Sequence, residues 1–425
     1  MTKKTVLTGI TTTGTPHIGN YLGAIKPAIE ASHDPQLNNF YFLADFHALI
    51  KCHDPDRVAR STREIAATWL ALGLDPEQAT FYRQSDIPEI SELTWILTCM
   101  CSKGLMNRAH AYKASVDANV EAGNSDPDDG VTMGLFSYPV LMAADILMFN
   151  ADIIPVGKDQ IQHIEMARDI AGRFNHTYKS LFTLPEAQVD EQTQLIPGLD
   201  GRKMSKSYDN TIPLFCNSDE LYSLIKKIDT DSRAPGEPKD PDSSTLFQLY
   251  SCFADEAEAT QMRQRYLDGI GWGDAKKDLF EFLDAKLSQP RQRYNELMQD
   301  LGYVEEILQK GGAKAREFSA PFLHEVRVAA GIRPLNYVAQ EVQEEVKKKE
   351  KSAEQLARAE EGRRRAIIMQ LKPILDKIRS AEDIADAARA EVAERQQQIE
   401  SLKKKAKQKA ENELEVLQLE LAEYL

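Results

Sequence analysis

The sequence predicts an α/β fold with a doubly wound parallel sheet, followed by an all-helical domain and a coiled-coil-like helical extension at the C-terminal end. Short apolar runs alternate with longer amphipathic stretches over residues 1–215. Helical periodicity alone covers residues 216–336, and charged residues with apolar residues at heptad spacing fill residues 337–425. Strands separated by helices pair in parallel through right-handed crossovers. We therefore expect three domains with these boundaries.

Four apolar runs predict strands in the first domain, at residues 5–8, 39–44, 79–82 and 152–156. Amphipathic patterns predict helices between them, at residues 57–73 and 141–149, and a further helix opens near Tyr21. In a doubly wound sheet, ligands bind outside the carboxyl ends of the strands. The turn at residues 9–20 lies at such an end, directly after the first strand.

The rest of the chain is predicted to be helical. In the second domain the helical pattern covers residues 221–228, 246–253, 257–267 and 276–300. In the extension, apolar residues recur every three to four positions from Leu371 onward, and the step then slips by four after Ala406. Because proline lacks an amide hydrogen, we expect Pro373 to end or restart a helix, giving a helical hairpin or two segments rather than one rod.

Composition restricts the class of protein. The chain has 425 residues, 42% of them hydrophobic and 28% charged, which is typical of a globular protein. It contains no apolar run of about 20 residues and no secretory leader pattern, so we expect no membrane partner. Five scattered cysteines favour reduced thiols, a cytoplasmic location and no structural metal. The net charge of −14 argues against a broad basic surface, although a local basic path stays possible.

The turn at residues 9–20 (Gly-Ile-Thr-Thr-Thr-Gly-Thr-Pro-His-Ile-Gly-Asn) is the first candidate binding segment. Its glycines allow close approach of the backbone to a ligand, and the helix that follows offers free N–H groups to an anion. His17 and Asn20 lie three residues apart, so their side-chain donors face the same way. Taken alone, the segment is equally consistent with a turn selected only for its geometry.

Residues 201–207 (Gly-Arg-Lys-Met-Ser-Lys-Ser) form the second candidate segment. Lys203 and Lys206 lie three apart, with Ser205 between them. Two lysines in a loop neutralise the charge that develops on a leaving pyrophosphate. The chain has no G-x-x-x-x-G-K-S/T sequence, so an ordinary P-loop nucleotidase is not supported.

Residues 17–20 (His-Ile-Gly-Asn, the first motif) and 203–207 (Lys-Met-Ser-Lys-Ser, the second motif) resemble the two signature motifs of class I aminoacyl-tRNA synthetases. Within that class, residues 138–147 followed by 155–160 resemble the bacterial tryptophanyl-tRNA synthetases. The resemblance covers about residues 1–335. It implies a Rossmann-like catalytic domain and a helical domain that binds the tRNA anticodon, and it leaves the last ninety residues without a counterpart.

The resemblance implies activation of L-tryptophan by ATP, with release of pyrophosphate, and transfer of tryptophan to tRNA(Trp). The implied partners are therefore tRNA(Trp), L-tryptophan and ATP, which brings Mg²⁺ as part of the substrate complex. A homodimer is also implied by the family.

Site residues carried over from the family fall into three groups. The catalytic residues are His17, Asn20, Lys203 and Lys206. Those implied to bind ATP are Thr11, Thr12, Thr13, Gly19, Asn20, Gly157, Lys158, Asp159, Leu195, Lys203, Met204, Ser205, Lys206 and Ser207. For tryptophan, the resemblance implies that Asp145 accepts the indole N–H, that Gln160 holds the polar end, and that the apolar wall is made by Tyr138, Met142, Ile154 and Val156.

Two other functions stay open on the sequence. A tyrosyl-tRNA synthetase shares this fold, but many of its members carry glutamine where this chain has Met142, and a thioether packs better on an indole than it binds a phenol. A synthetase-derived scaffold without activity would have no chemical need to keep both motif lysines. A related adenylyl transferase without RNA is disfavoured by the helical domain. His47 and His163 are equally consistent with core positions, and Trp69, Trp95 and Trp272 are expected in the core.

Overall fold

The computed structural model describes residues 3–189, 196–335 and 353–425, without the side chains of residues 207, 353–358 and 405. The chain forms two compact units, Met1–Arg333 and Pro334–Leu425. The predicted boundary between residues 215 and 216 falls inside the first unit and stays a prediction. None of the described helices is long and apolar enough to cross a membrane.

The first unit is built on a parallel sheet of five strands in the order β3–β2–β1–β4–β5. The strands are β1 (Lys4–Thr11), β2 (Leu37–Ala44), β3 (Thr80–Arg83), β4 (Ile153–Pro155) and β5 (Glu186–Gln188). In this register Val6 of β1 lies opposite Asn39 of β2 and Ile153 of β4. The doubly wound parallel sheet and its first four strands are confirmed. The fifth strand was not predicted, because Glu-Ala-Gln is short and lacks an apolar run.

Fourteen helices among the described residues complete this unit. They are α1 (Ile18–Asn20), α2 (Lys26–Ser32), α3 (Asp45–Ala48), α4 (Pro55–Ala71), α5 (Pro88–Met100), α6 (Lys103–Met106), α7 (His110–Glu121), α8 (Met133–Met148), α9 (Ile161–Thr177), α10 (Ser218–Lys226), α11 (Thr245–Ser251), α12 (Glu256–Leu267), α13 (Trp272–Gln299) and α14 (Leu301–Ala329). A π-helical stretch, Tyr21–Ile25, joins α1 to α2.

Both faces of the sheet are covered, as a doubly wound fold requires. Along β2, Phe40 and Phe42 enter one apolar cluster, with residues of α5, α8 and α9. The alternate residues Tyr41 and Leu43 enter a second cluster with Trp69 of α4 and residues of α14. The side chains of a strand point alternately to the two faces, so this alternation places β2 in the middle of the core.

Helix α14 returns from the predicted second domain and packs against β3. A Cβ atom on Gly311 would lie 1.7 Å from the carbonyl oxygen of Phe81, so only glycine permits this approach. Arg83 adds a bidentate ion pair to Glu305, with Nη1–Oε2 and Nη2–Oε1 distances of 2.8 and 2.7 Å. These contacts fix the end of β3, beside which the candidate site lies.

The described part of the second unit contains three helices, α15 (Ala353–Arg379), α16 (Ile384–Glu400) and α17 (Lys404–Glu420), around a small apolar cluster. The expectation of a helical extension that is not one rod is confirmed, but it has three described helices rather than two. The expected break at Pro373 is wrong, since α15 continues through it. Proline frees only the carbonyl of Met369, a residue that is 78% exposed. Burial of Leu371, Leu375 and Ile378, at roughly 1.5–3 kcal/mol each, outweighs the proline cost of about 3 kcal/mol.

Candidate active site

The two motifs lie against each other in the folded unit. The N–H of Ile18 donates to the carbonyl of Ile212 at 3.0 Å, and the N–H of Leu214 donates to the carbonyl of Pro16 at 3.0 Å. The N–H of Gly19 also donates to Sδ of Met204 at 3.3 Å. Segments about 190 residues apart in sequence therefore meet at the carboxyl end of β1.

Lys206 reaches over the turn that follows β1. A Cβ atom on Gly14 would lie 2.8 Å from Nζ of Lys206, so glycine leaves room for the ammonium group. Arg57 of α4 reaches the same turn, where its Nε donates to the carbonyl of Thr13 at 3.1 Å. Partial burial, and then the Arg57 guanidinium, lower the pKa of Lys206 below its ordinary value. Two cations thus share the turn with the Glu64 carboxylate, which accepts from Oγ1 of Thr15 at 2.7 Å and partly offsets their repulsion, and an anionic ligand would relieve it further.

Buried polar atoms of the same turn lack protein partners. His17 is buried, and its backbone N–H donates to Oδ1 of Asn20 at 3.1 Å, which orients the Asn20 amide. Among the described residues, neither Nδ1 of His17 nor Oγ1 of Thr12 has a hydrogen-bond partner. Burial, and then Lys206, lower the pKa of His17 to about 4, so this imidazole is neutral at physiological pH. Because buried polar atoms are normally paired, these two atoms fit a site that binds a polar ligand.

Asn210 holds the backbone of the second motif. Its Nδ2 donates to Oδ1 of Asp200 at 2.7 Å and to the carbonyl of Lys203 at 3.1 Å, and its Oδ1 accepts from the N–H of Ser205 at 2.8 Å. Met204 is buried, while Lys203 and Lys206 are exposed to the cleft side of the loop's surface. Sequence reasoning missed Asn210, which lies three residues beyond the motif and carries no charge.

Asp145 forms a second cluster with His47 and Gln84, called here the carboxylate cluster. Asp145 is 1% exposed, and its Oδ2 lies 2.8 Å from Nε2 of His47. Nε2 of Gln84 lies 2.8 and 2.9 Å from its two carboxylate oxygens. Burial raises the pKa of Asp145, and the hydrogen bonds from His47 and Gln84 oppose that shift. A carboxylate has about four acceptor positions, so the oxygens retain capacity for another donor.

A separate chain of hydrogen bonds lies beside this cluster. Oη of Tyr138 lies 2.8 Å from Nε2 of His163, whose Nδ1 lies 3.0 Å from Oε1 of Gln160. Nε2 of Gln160 in turn donates to Oδ2 of Asp159 at 2.8 Å. The ring centroid of Tyr138 is 6.3 Å from that of His47, with the rings edge to face. The structure thus brings together predicted residues from α8 and from the segment after β4, and places them beside the carboxylate cluster.

The other predicted residues are placed as follows. Thr11 ends β1, and Gly157 and Lys158 are exposed just after β4, which neighbours β1 in the sheet. Met142 and Val156 are half-buried against the apolar cluster that Ile154 also enters. Leu195 and the side chain of Ser207 lie outside the described part of the chain.

His47 and Gln84 could have been found in the sequence. Gln84 follows β3 directly and His47 lies three residues after the end of β2, and the carboxyl ends of parallel strands lie at one edge of the sheet. Arg57 gives no such signal, because nothing in an amphipathic helix marks which cation will reach a distant turn. Over the described ranges, no group of three or more His, Cys, Asp or Glu side chains could hold a metal ion.

Comparison with known proteins places this cleft in a family. The family model for class I tRNA synthetases (W and Y) matches residues 2–288. The tryptophan–tRNA ligase of Pseudomonas putida is 61% identical over 351 residues, which cover 82% of this chain and 78% of that protein. The chain belongs to the tryptophan–tRNA ligase family. Its predicted function and its assignment as an enzyme, an aminoacyl-tRNA synthetase, are confirmed by these relatives.

Two further relatives of the ligase family bear on the site and on the extension. A crystal structure of the Campylobacter jejuni tryptophanyl-tRNA synthetase complexed with ADP and tryptophan has 42% identity and a TM-score of 0.70, and covers 77% of this chain and 99% of that one. The Neisseria meningitidis tryptophan–tRNA ligase is 60% identical over 335 residues, 79% of this chain and 100% of that ligase. The Neisseria ligase therefore matches along its whole length, and about a fifth of this chain has no counterpart in it.

Proposed function

We propose that this tryptophan–tRNA ligase binds ATP, with its Mg²⁺, between the turn after β1 and the second motif. The observation that carries the proposal is the position of Nζ of Lys206 over Gly14, beside buried polar atoms that have no partner. Lys203 and Lys206 bind the β- and γ-phosphates, and His17 and Asn20 donate to phosphate oxygens. The remaining residues of the ATP site are Thr11, Thr12, Thr13, Gly19, Gly157, Lys158, Asp159, Leu195, Met204, Ser205 and Ser207.

The same proposal places tryptophan beside the carboxylate cluster. Asp145 accepts the indole N–H with the capacity that His47 and Gln84 leave open, because a buried indole N–H needs an acceptor. Gln160 holds the polar end of the amino acid. The apolar wall is formed by Tyr138, Met142, Ile154 and Val156.

The chemistry follows from these positions. A carboxylate oxygen of tryptophan bonds to the α-phosphorus of ATP in line with the bond to the β-phosphate bridging oxygen, which breaks and releases pyrophosphate. A ribose hydroxyl at the 3′ end of tRNA(Trp) then attacks the activated carbonyl, and AMP leaves. The enzyme contributes positioning and charge neutralisation rather than a covalent intermediate of its own. We place the reaction in the cytoplasm, and the five free cysteines suit a reducing compartment.

Amino-acid-dependent exchange of labelled pyrophosphate into ATP tests this function, with each of the twenty amino acids in turn. We expect exchange with tryptophan and at least 100-fold less with tyrosine, since the site offers a thioether where a phenol would need a hydrogen-bond partner. Charging of a tRNA(Trp) transcript then tests the second step. Exchange that tyrosine supports equally well, or no exchange with any amino acid, would overturn the proposal.

We further propose that the ligase is a homodimer that pairs through an apolar patch on α5 and α8. Trp95 is 67% and Met133 is 73% exposed, and Leu49 is also exposed. The patch surrounds a groove of about 320 Å³ that Phe46 and Leu141 line. The expectation that Trp95 lies in the core is wrong, whereas Trp69 is buried as expected. Apolar patches of this kind on a soluble chain mark interaction sites, and a second copy is the occupant we propose.

Replacing Trp95 by glutamate is expected to convert the dimer to a monomer, because a charge would be buried at the centre of the interface. Analytical ultracentrifugation at micromolar concentration measures the change. A chain that ends at residue 336 is the matched control and should stay dimeric, since we propose that residues 337–425 form a separate module, distinct from the catalytic domain (1–215) and the tRNA anticodon-binding domain (216–336). A dimer that survives Trp95→Glu but is lost on truncation would assign self-association to the extension instead.

A further inference from the structure

One exposed face of helix α4 carries three arginines in a row. Arg57, Arg60 and Arg63 are spaced three residues apart and are all exposed, so they follow one side of the helix. At 1.5 Å per residue the stripe is about 9 Å long. It begins at the ATP turn, where Arg57 contacts Thr13.

The stripe does not stabilise the helix that carries it. Over the described residues, Arg60 and Arg63 make no hydrogen bond or ion pair with the protein, whereas Arg83 and Arg316 of the same unit pair with glutamates. Like charges three residues apart repel, and the N-terminal half of a helix disfavours cations. Arg57 contacts the carbonyl of Thr13, so Arg60 and Arg63 are the two arginines of this face that, among the described residues, are left for an external anion to bind.

A cavity of about 550 Å³ lies beside the stripe, along the side of α4 that runs from Asp54 to Arg63, and Arg63 is the arginine of the stripe that lines it. The carboxylates that share its wall are already engaged. Asp45 accepts from Ser85, Glu305 accepts from Arg83, and Asp54 accepts from backbone N–H groups of α4. Only Glu305 is paired with a cation, Arg83, while Asp45 and Asp54 keep their charge; among the described lining residues Arg63 is the arginine without an ion pair. The volume is in the range that admits one nucleotide.

The cavity also adjoins the proposed tryptophan site. Its lining residues Asp45 and Ser85 lie within two residues of His47 and Gln84, which hold Asp145. A chain of phosphates that follows the stripe would therefore bring a terminal nucleotide next to the activated amino acid. On a protein of net charge −14, a polyanion binds where arginine and lysine side chains face solvent, and this exposed stripe is one such place.

We infer that Arg57, Arg60 and Arg63 of α4 bind the backbone phosphates of the tRNA acceptor strand and guide its 3′ end past the 550 Å³ cavity to the activated tryptophan. The inference rests on the proposed function. The inference adds a tRNA-binding surface to that function. This surface is formed by one helix of the catalytic unit and is independent of the anticodon-binding domain and of the extension.

The test is the double variant Arg60→Gln/Arg63→Gln in the full-length chain, with a tRNA(Trp) transcript. The KM for tRNA in aminoacylation should rise about tenfold or more, while tryptophan-dependent pyrophosphate exchange, which needs no tRNA, stays within twofold. The plot of log KM against log salt concentration should lose about 1.4 of slope, because each phosphate contact on a single strand contributes about 0.7. A minihelix of the acceptor stem should show the same loss in charging.

Two control variants distinguish an effect of this stripe from an effect of the overall charge of the protein. Arg173→Gln removes another exposed arginine, on α9, and should leave the KM for tRNA unchanged. Arg60→Lys/Arg63→Lys keeps both charges and should retain most of the affinity, because lysine binds phosphate as a point charge. An unchanged KM for tRNA in the glutamine variant would overturn the inference and leave the proposed function standing. A parallel loss of pyrophosphate exchange in the glutamine variant would assign the stripe to ATP binding and would also overturn the inference. Absence of tRNA charging by the unaltered enzyme would instead overturn the proposed function.

Discussion

Replacement of Lys206 by alanine is expected to lower kcat for tryptophan-dependent pyrophosphate exchange about 100- to 1,000-fold, with the Kd for tryptophan within about twofold. The range is that measured when one preorganised stabilising group is removed from a developing charge. Nζ of Lys206 lies over Gly14, within the turn that the first motif follows, and not in the carboxylate cluster around Asp145. Its loss should therefore affect the step in which pyrophosphate leaves, and leave recognition of the amino acid intact.

The physical reason is that negative charge on the leaving group increases only as the bond to the α-phosphorus breaks. A cation that binds this charge more strongly than the ground-state triphosphate raises kcat rather than affinity. The depressed pKa of Lys206 indicates that its ammonium is partly desolvated and repelled by Arg57, so a phosphate is a better partner for it than water. Lys203 is exposed on the same loop, and its loss should have the same sign.

Single-turnover kinetics and tryptophan fluorescence titration separate the two quantities. Lys206→Arg keeps the charge and should recover part of the rate. Lys310→Ala, which removes an exposed lysine of α14 paired with Glu306, is the matched control and should change neither. A Lys206→Ala enzyme that turns over normally, or one that loses tryptophan affinity in proportion to rate, would contradict the assigned role.

The fold could be predicted from the sequence wherever apolar pattern and chain order determine it. Continuous apolar runs such as Phe40 to Leu43 are buried on both faces, and they predicted the parallel sheet and the edge where ligands bind. The apolar pattern failed to predict secondary structure where contacts with neighbouring elements determine it. Glu186 to Gln188 form a strand only because β4 supplies the hydrogen bonds, and α15 passes through Pro373 because the apolar stripe continues beyond it.

The residues of the candidate site likewise divide into those that the sequence predicted and those that it did not. The two motifs could be found from the sequence alone, since their residue types are unusual and their chemistry is specific. Residues that hold others in place were harder to find. Asn210, which holds the second motif, gives no signal because its role is tertiary, whereas His47 and Gln84, which hold Asp145, are marked only by their positions after two strands. The exposure of Trp95 also could not be read from the sequence, as a tryptophan in an apolar helix gives the same pattern in a core and in an interface.

Replacement of Asp145 by alanine is expected to raise the KM for tryptophan about 10- to 100-fold and to leave the KM for ATP within about threefold. An unpaired polar group costs roughly 1–3 kcal/mol when buried, and this range corresponds to that change. In the variant the indole N–H loses its acceptor, and the donors of His47 and Gln84 lose theirs as well. Part of the effect could thus come from disorder of the cluster, so KM alone does not separate recognition from support.

A change in the substrate separates them. A tryptophan analogue in which sulfur replaces the indole N–H keeps the shape of the ring system and removes the donor. The unaltered enzyme should bind it about 10-fold or more weaker than tryptophan, because the Asp145 carboxylate would then face no donor. Asp145→Ala should lose this preference or reverse it, because the indole N–H of tryptophan is then a buried donor without an acceptor, whereas the sulfur analogue carries no donor. The difference between the two ratios is the coupling between this carboxylate and the indole N–H, free of any general damage to the pocket.

Asp145→Asn tests whether recognition of the indole N–H needs the charge of the side chain or only an acceptor oxygen. It keeps the shape of the side chain and one acceptor oxygen, but it loses the charge that His47 and Gln84 compensate in the buried cluster. If recognition depends on an acceptor alone, this variant should retain most of the discrimination between tryptophan and the sulfur analogue, with a lowered Tm as the cost of an unmatched donor. If all three forms of the enzyme bound both ligands with the same ratio, Asp145 would be a structural carboxylate, and the indole N–H would have to find its acceptor elsewhere in the cleft.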